Sequence, residues 1–78
     1  MTVSAYVFVL TEMDKTSAVA EAIREIEGVD DVDVVTGPYD VIVKASADTM
    51  DELGRMVVGK VQKVDGINRT ITSPVVNL

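Results

Sequence analysis

The chain has no cysteine, no histidine and no tryptophan, and only three aromatic residues, Tyr6, Phe8 and Tyr39, in 78 positions. Without cysteine there is no disulfide, and without cysteine or histidine the usual zinc, haem and iron–sulfur ligand sets are missing. The same two absences remove the thiolate nucleophile and the imidazole base, so carboxylates, hydroxyls and amines are the only groups left for chemistry. Basic residues are also scarce, seven against thirteen acids for a net charge of −6. Nucleic-acid affinity rests on Lys and Arg displacing counterions, so direct DNA binding is not expected. No apolar run approaches the roughly 20 residues that span a bilayer, and Met1-Thr2-Val3-Ser4 lacks the basic start of a secretory signal, so a cytoplasmic, membrane-free protein is expected.

What is present is a chain 47% hydrophobic, long enough for one domain, residues 1–78. A core of this size hides only about two-thirds of the surface that the unfolded chain exposes. Oligomerisation is the remaining means of support. The acidity is lopsided: residues 1–39 hold eight acids and two bases, residues 40–78 five of each.

Ala5 to Leu10 is apolar at every position, rich in β-branched and aromatic types and too short for a helix, which predicts a strand buried on both faces. Asp14 is placed to cap a helix carrying Ala18, Val19, Ala22, Ile23 and Ile26 on one stripe, with Gly28 as its stop. Val29 to Thr36 alternates as an edge strand does, with Val32 and Val34 on one side, and ends in the turn Gly37-Pro38-Tyr39-Asp40. Asp40 to Ala47 is again apolar on nearly both faces. Asp48 then caps a helix with Met50, Leu53, Val57, Val61 and Val64 on one stripe, ended by Asp65-Gly66. Ile67 to Ser73 is half polar and runs into Pro74, which suits a second edge strand.

The order β-α-β-β-α-β predicts a ferredoxin-like α+β domain, one antiparallel sheet with strands one and three central, and both helices on one face. The first strand is nevertheless apolar on both sides, Tyr6, Phe8 and Leu10 on one and Ala5, Val7 and Val9 on the other, so one sheet face lacks a cover. Such an apolar patch exceeds what soluble monomers usually expose. A dimer packed sheet against sheet, a dimeric α+β barrel, is the inference.

Thr36-Gly37-Pro38-Tyr39-Asp40-Val41, with Val64-Asp65-Gly66-Ile67-Asn68-Arg69-Thr70-Ile71-Thr72 further on, resembles the effector-binding (RAM) domain of Lrp/AsnC transcription regulators. Ala5-Tyr6-Val7-Phe8-Val9-Leu10, Gly28-Val29 and Val34 extend the resemblance to nearly the whole chain. The family's helix-turn-helix is not represented, so a stand-alone sensor domain is expected. The resemblance implies dimers that assemble further, into octamers or similar rings, with a small amino acid bound between them. It also implies partnership with full-length Lrp/AsnC regulators, and an effector site at Thr11, Thr36, Gly37, Pro38, Tyr39, Asp40, Arg69 and Ile71. Pro38 departs from what such a site needs because it has no N–H, and Arg69 because it is long and charged.

Chemically, a free amino acid requires an anion for its ammonium and N–H donors for its carboxylate, and Asp40 beside Gly37 and Tyr39 can offer both. The hydroxyls of Thr11 and Thr36 add orientable bonds, and Arg69 is a second candidate for the ligand carboxylate. The plainer alternative is a good hairpin turn, with Pro38 presetting φ and Asp40 bonding local amides. Arg69 and Lys44 can equally pair with Asp31 or Asp33 across strands. Asp30-Asp31-x-Asp33 lacks the glycine and distal glutamate of a calcium loop, so no metal or other cofactor is expected. Gly54 and Gly59 inside the second helix point to close approach by a neighbour, with packing of that helix on a partner and mere tolerance of the two glycines as the alternatives. The four methionines, Met1, Met13, Met50 and Met56, are given no role.

Three functions from different classes follow. The first is a non-catalytic amino-acid sensor that modulates transcription through its assembly. The second is an assembly module without ligand. The third is a small dimeric α+β barrel enzyme, which the lack of His and Trp and the placing of Asn68 and Asn77 in or after the last strand disfavour. RNA binding on an RRM-like sheet needs aromatics on both central strands, and the third strand has none.

Overall fold

The computed structural model describes residues 2–78; Met1 lies outside the described residues. Four strands, β1 (Val3–Thr11), β2 (Val29–Val34), β3 (Val41–Ala47) and β4 (Ile67–Pro74), form one antiparallel sheet in the order β2-β3-β1-β4. The helices are α1 (Thr16–Arg24) and α2 (Met50–Met56), the latter continued by a π-helical turn over Val57–Val61. The two apolar strands are central and the two half-polar strands are edges, as expected for a sheet whose middle loses most contact with water.

Side chains alternate along β1, with Ala5, Val7 and Val9 fully buried and Tyr6 exposed between them. Val41, Val43 and Ala45 of β3 continue the buried rows, and Val19, Ala20 and Ile23 of α1 with Leu53, Val57 and Val61 close over them. Both helices therefore cover one face of the sheet. On the other face Phe8, Leu10 and Ile42 are half-buried, Tyr6 is 40% exposed and Ile71 36%. Burial of the first strand on both faces is thus not met within one chain. Among the described residues no helix is long and apolar enough to cross a membrane.

Several local expectations are corrected. Asp14 does not cap α1: it adopts φ +65° in the preceding turn, and Lys15 takes the cap position with no side-chain bond. The helix ends at Arg24, short of Gly28, and turns Ala20 inward while Ala18 and Ala22 stay exposed. Thr49, not Asp48, caps α2, its hydroxyl accepting from the Glu52 N–H at 3.1 Å. β2 stops at Val34, which is 53% exposed, before Thr36 is reached. Met50 is also exposed. Leu53, Val57 and Val61 recur every fourth residue, and an ideal α-helix would turn the third of them about 80° off the buried face. The wider turn corrects this drift, closed by the Gln62 N–H donating to the Val57 carbonyl at 2.8 Å. Among the described residues nothing beyond the helix's own backbone and the adjoining residues lies within 4 Å of where a Cβ would sit on Gly54 or Gly59, so no close approach to this helix is made there within the chain.

Candidate functional site

β1 and β4 pair regularly up to Leu10 opposite Arg69 and then slip, so that Thr11 faces Ile67. The extra residue is Asn68 on β4, opposite the end of β1 at Thr11. The Thr11 N–H donates to Asp40 Oδ2 at 2.8 Å, and its hydroxyl lies 3.2 Å from the same oxygen and 2.7 Å from the hydroxyl of Thr16, the first residue of α1. The Asp40 backbone is engaged on both sides: its N–H donates to the Val9 carbonyl at 3.0 Å, and its carbonyl accepts from the Val35 N–H at 2.9 Å. Asp40 therefore ties together the ends of β1, β2 and β3 and the start of α1. The Asp40 side chain thus bonds Thr11, 29 residues away, rather than an amide of its own turn, while its carbonyl closes the turn on the Val35 N–H.

Thr36, Gly37 and Pro38 stand exposed beyond this knot, and Gly37 has φ +119°. That conformation favours glycine, and the space about it is open. Tyr39 folds back so that its ring meets Phe8, with centroids 4.8 Å apart and planes tilted by 35°. Phe8 in turn faces Ile71 on β4, and Leu10 faces Arg69. The eight expected residues thus gather at one end of the sheet in two groups. Thr11 and Asp40 are bonded to each other. Tyr39, Ile71 and Arg69 border the uncovered face, and the exposed Thr36-Gly37-Pro38 turn connects the two.

Thr16 and Phe8 belong to this arrangement and were not among the expected site residues. Phe8 could have been found from the alternation that sets it beside Tyr6 and Leu10, whereas the Thr16 contact has no signature in spacing. Three shallow recesses lie elsewhere, one beside Arg24 and β2, one between Gly28, Ser46–Asp48 and α2, and one along Gln62 and Ile67–Thr70. None of the three is lined by Thr36–Asp40.

The chain is thus one α+β domain, an antiparallel βαββαβ sheet with one face left uncovered by helices and a hydroxyl–carboxylate knot at one end. The chain matches the family model of the Lrp/AsnC ligand binding domain over residues 4–77, and it belongs to that family. It is 36% identical over 70 residues to an uncharacterized helix-turn-helix-type transcriptional regulator of Pyrococcus horikoshii, a match covering 83% of this chain and 47% of that protein. The chain thus spans about half the length of the curated relatives it matches. Among solved structures, a Thermus thermophilus protein superposes with a TM-score of 0.91 at 29% identity, covering 97% of this chain and 95% of that one. A Neisseria meningitidis transcriptional regulator solved in complex with L-methionine has a TM-score of 0.85 at 18% identity, covering 96% of this chain and 50% of its own, a likeness of fold alone.

Proposed function

We propose that this domain senses a small amino acid and converts its binding into a change of assembly, without catalysis and without touching DNA itself. The observation that carries this reading is the position of the Thr36–Asp40 turn at the rim of the uncovered sheet face, with Tyr39 packed on Phe8. A ligand held at the turn would touch the same aromatic pair that borders the pairing surface. Thr36, Gly37 and Pro38 are exposed in a single chain, so a second dimer would supply the opposite wall of the site. That is the basis for a ring of dimers rather than a lone dimer.

Asp40 would meet the ligand ammonium while keeping its bonds to Thr11, since a carboxylate has about four acceptor sites. The N–H groups of Gly37 and Tyr39 and the Thr36 hydroxyl would meet the ligand carboxylate. The ligand must bind one assembly better than another, because equal affinity shifts nothing. Mixed assembly with full-length Lrp/AsnC regulators in the cytoplasm is the route by which such a shift would reach transcription.

Native mass spectrometry of the purified chain with a pool of amino acids, methionine first among them because of the Neisseria complex, tests the reading. Even-numbered assemblies that retain an amino-acid mass are expected, and Thr36→Val should lose that mass while remaining folded. Assemblies that never retain a ligand would leave the ligand-free assembly module as the function. Unchanged binding by Thr36→Val and Gly37→Ala would place the ligand elsewhere.

A further inference from the structure

The uncovered sheet face carries a charge pattern that neither the fold nor the turn requires. Directly opposed residues on neighbouring strands share a face, and the register runs Asp33–Ile42–Phe8–Ile71 across the sheet from β2 to β4. The adjacent row is Asp31–Lys44–Tyr6–Ser73, and on the other side Leu10 faces Arg69. These rows hold two acids and two bases, a balanced set on a chain whose net charge is −6. Asp31 has Lys44 across from it, and the Lys44 Nζ lies 5.8 Å from the centre of the Tyr6 ring. Asp33 and Arg69 instead face aliphatic neighbours, Ile42 and Leu10. They stand on opposite edges of the sheet, three strand spacings or about 14 Å apart, too far to meet within one chain.

We propose that Asp33 of one copy pairs with Arg69 of a second copy, and that this pair sets the orientation in which two sheets face each other. This pair rests on the sheet-against-sheet dimer that the proposed function presupposes, and it specifies the geometry of that dimer. Two copies stacked face to face about a two-fold axis have two aligned arrangements. With the axis across the strands, β2 lies over the β2 of the second copy and β4 over its β4, setting acid on acid and arginine on arginine. With the axis along the strands, β2 lies over β4 in both halves, and each Asp33 meets an Arg69 twice per dimer. Arg69 sits one row beyond Ile71, about 7 Å along the strand from the Asp33 row, a step that its long side chain bridges. Like charges set against each other across an interface are strongly unfavourable, so the second arrangement is selected. The apolar centre, Phe8, Leu10, Ile42 and Ile71, supplies the attraction, and the rim charges select the orientation.

Charge reversal of the full chain tests this by sedimentation equilibrium and native mass spectrometry. Asp33→Arg and Arg69→Asp each place two like-charged pairs in the dimer and are expected to weaken it roughly 10- to 100-fold at low salt, less at high salt. The double variant D33R/R69D should dimerise as the unaltered chain does. An equimolar mixture of the two single variants should form the mixed dimer beyond its statistical share, because both of its pairs are again opposite in charge. Asp51→Arg, on the exposed first turn of α2, changes net charge equally and should leave the dimer unchanged. Single reversals without effect, or a double variant no stronger than the singles, would overturn the orientation alone. An unaltered chain that remains monomeric would overturn the sheet pairing, and the orientation with it.

Discussion

At the scale of single residues, Asp40 shows how one side chain holds several chain segments at once. Its Oδ2 takes both the Thr11 N–H and the Thr11 hydroxyl. Asp40→Ala should therefore destabilise the fold by about 1–3 kcal/mol, the cost of leaving partly buried donors without their acceptor, which urea unfolding will measure. A loss of ligand response in that variant alone would not identify the ligand site, and so Thr36→Val is the cleaner probe of the turn. Gly66 is constrained twice over: its φ is +97°, and a Cβ there would come within 2.8 Å of the Lys15 Cβ. Its carbonyl also accepts from the Glu12 N–H at 2.7 Å, holding the end of β1. Gly66→Ala is expected to cost at least about 1 kcal/mol, whereas Gly54→Ala, on a helix with open space around it, should gain about 0.5–1 kcal/mol. Opposite signs in the two melting curves check the contrast. The Gly-x-Tyr-Asp turn was legible in the chain. The use of its aspartate was not, because the partner lies 29 residues away at a strand irregularity that no local pattern announces.

At the scale of elements, composition placed all four strands and both helices in order, since period-two and period-3.6 alternation are local properties. The ends were less legible, because a short polar residue beside the true cap has nearly the same propensity. Asp48 and Thr49 both suit the start of α2, and only the chain path shows that Thr49 has extended φ and ψ with its hydroxyl on the Glu52 N–H. Thr49→Ala should cost about 1 kcal/mol and Asp48→Ala less than about 0.5 kcal/mol, readable from paired urea titrations. The π turn after α2 follows the same logic in reverse. Its four-residue repeat was visible in Leu53, Val57 and Val61, yet whether the repeat bends the helix or leaves one residue exposed is decided by what it packs against. The covered core under β1 and β3 makes the first outcome the better one.

At the scale of the whole molecule, a sheet covered on one side only is the dominant fact. Tyr6, Phe8, Leu10, Ile42 and Ile71 line the second side, and a contiguous apolar face of this kind is where a partner surface gains most from burial. Anything that binds the folded chain and not the unfolded one raises apparent stability by mass action. The melting temperature should therefore rise with chain concentration, and Phe8→Glu should lower it and abolish the dependence. A melting temperature independent of concentration in the unaltered chain would contradict sheet pairing.

The amino-acid sequence by itself determined the element order, the central and edge strands, the family resemblance and the existence of an uncovered apolar face. All of these follow from which side chains recur at which spacing, and burial enforces that spacing wherever the strand or helix sits. Only the tertiary structure decided that Asp40 reaches Thr11, that Tyr39 stacks on Phe8, and that Asp33 and Arg69 occupy opposite edges of one face. Those relations depend on strand register, and register is settled by the packing of the whole sheet rather than by any one segment of it.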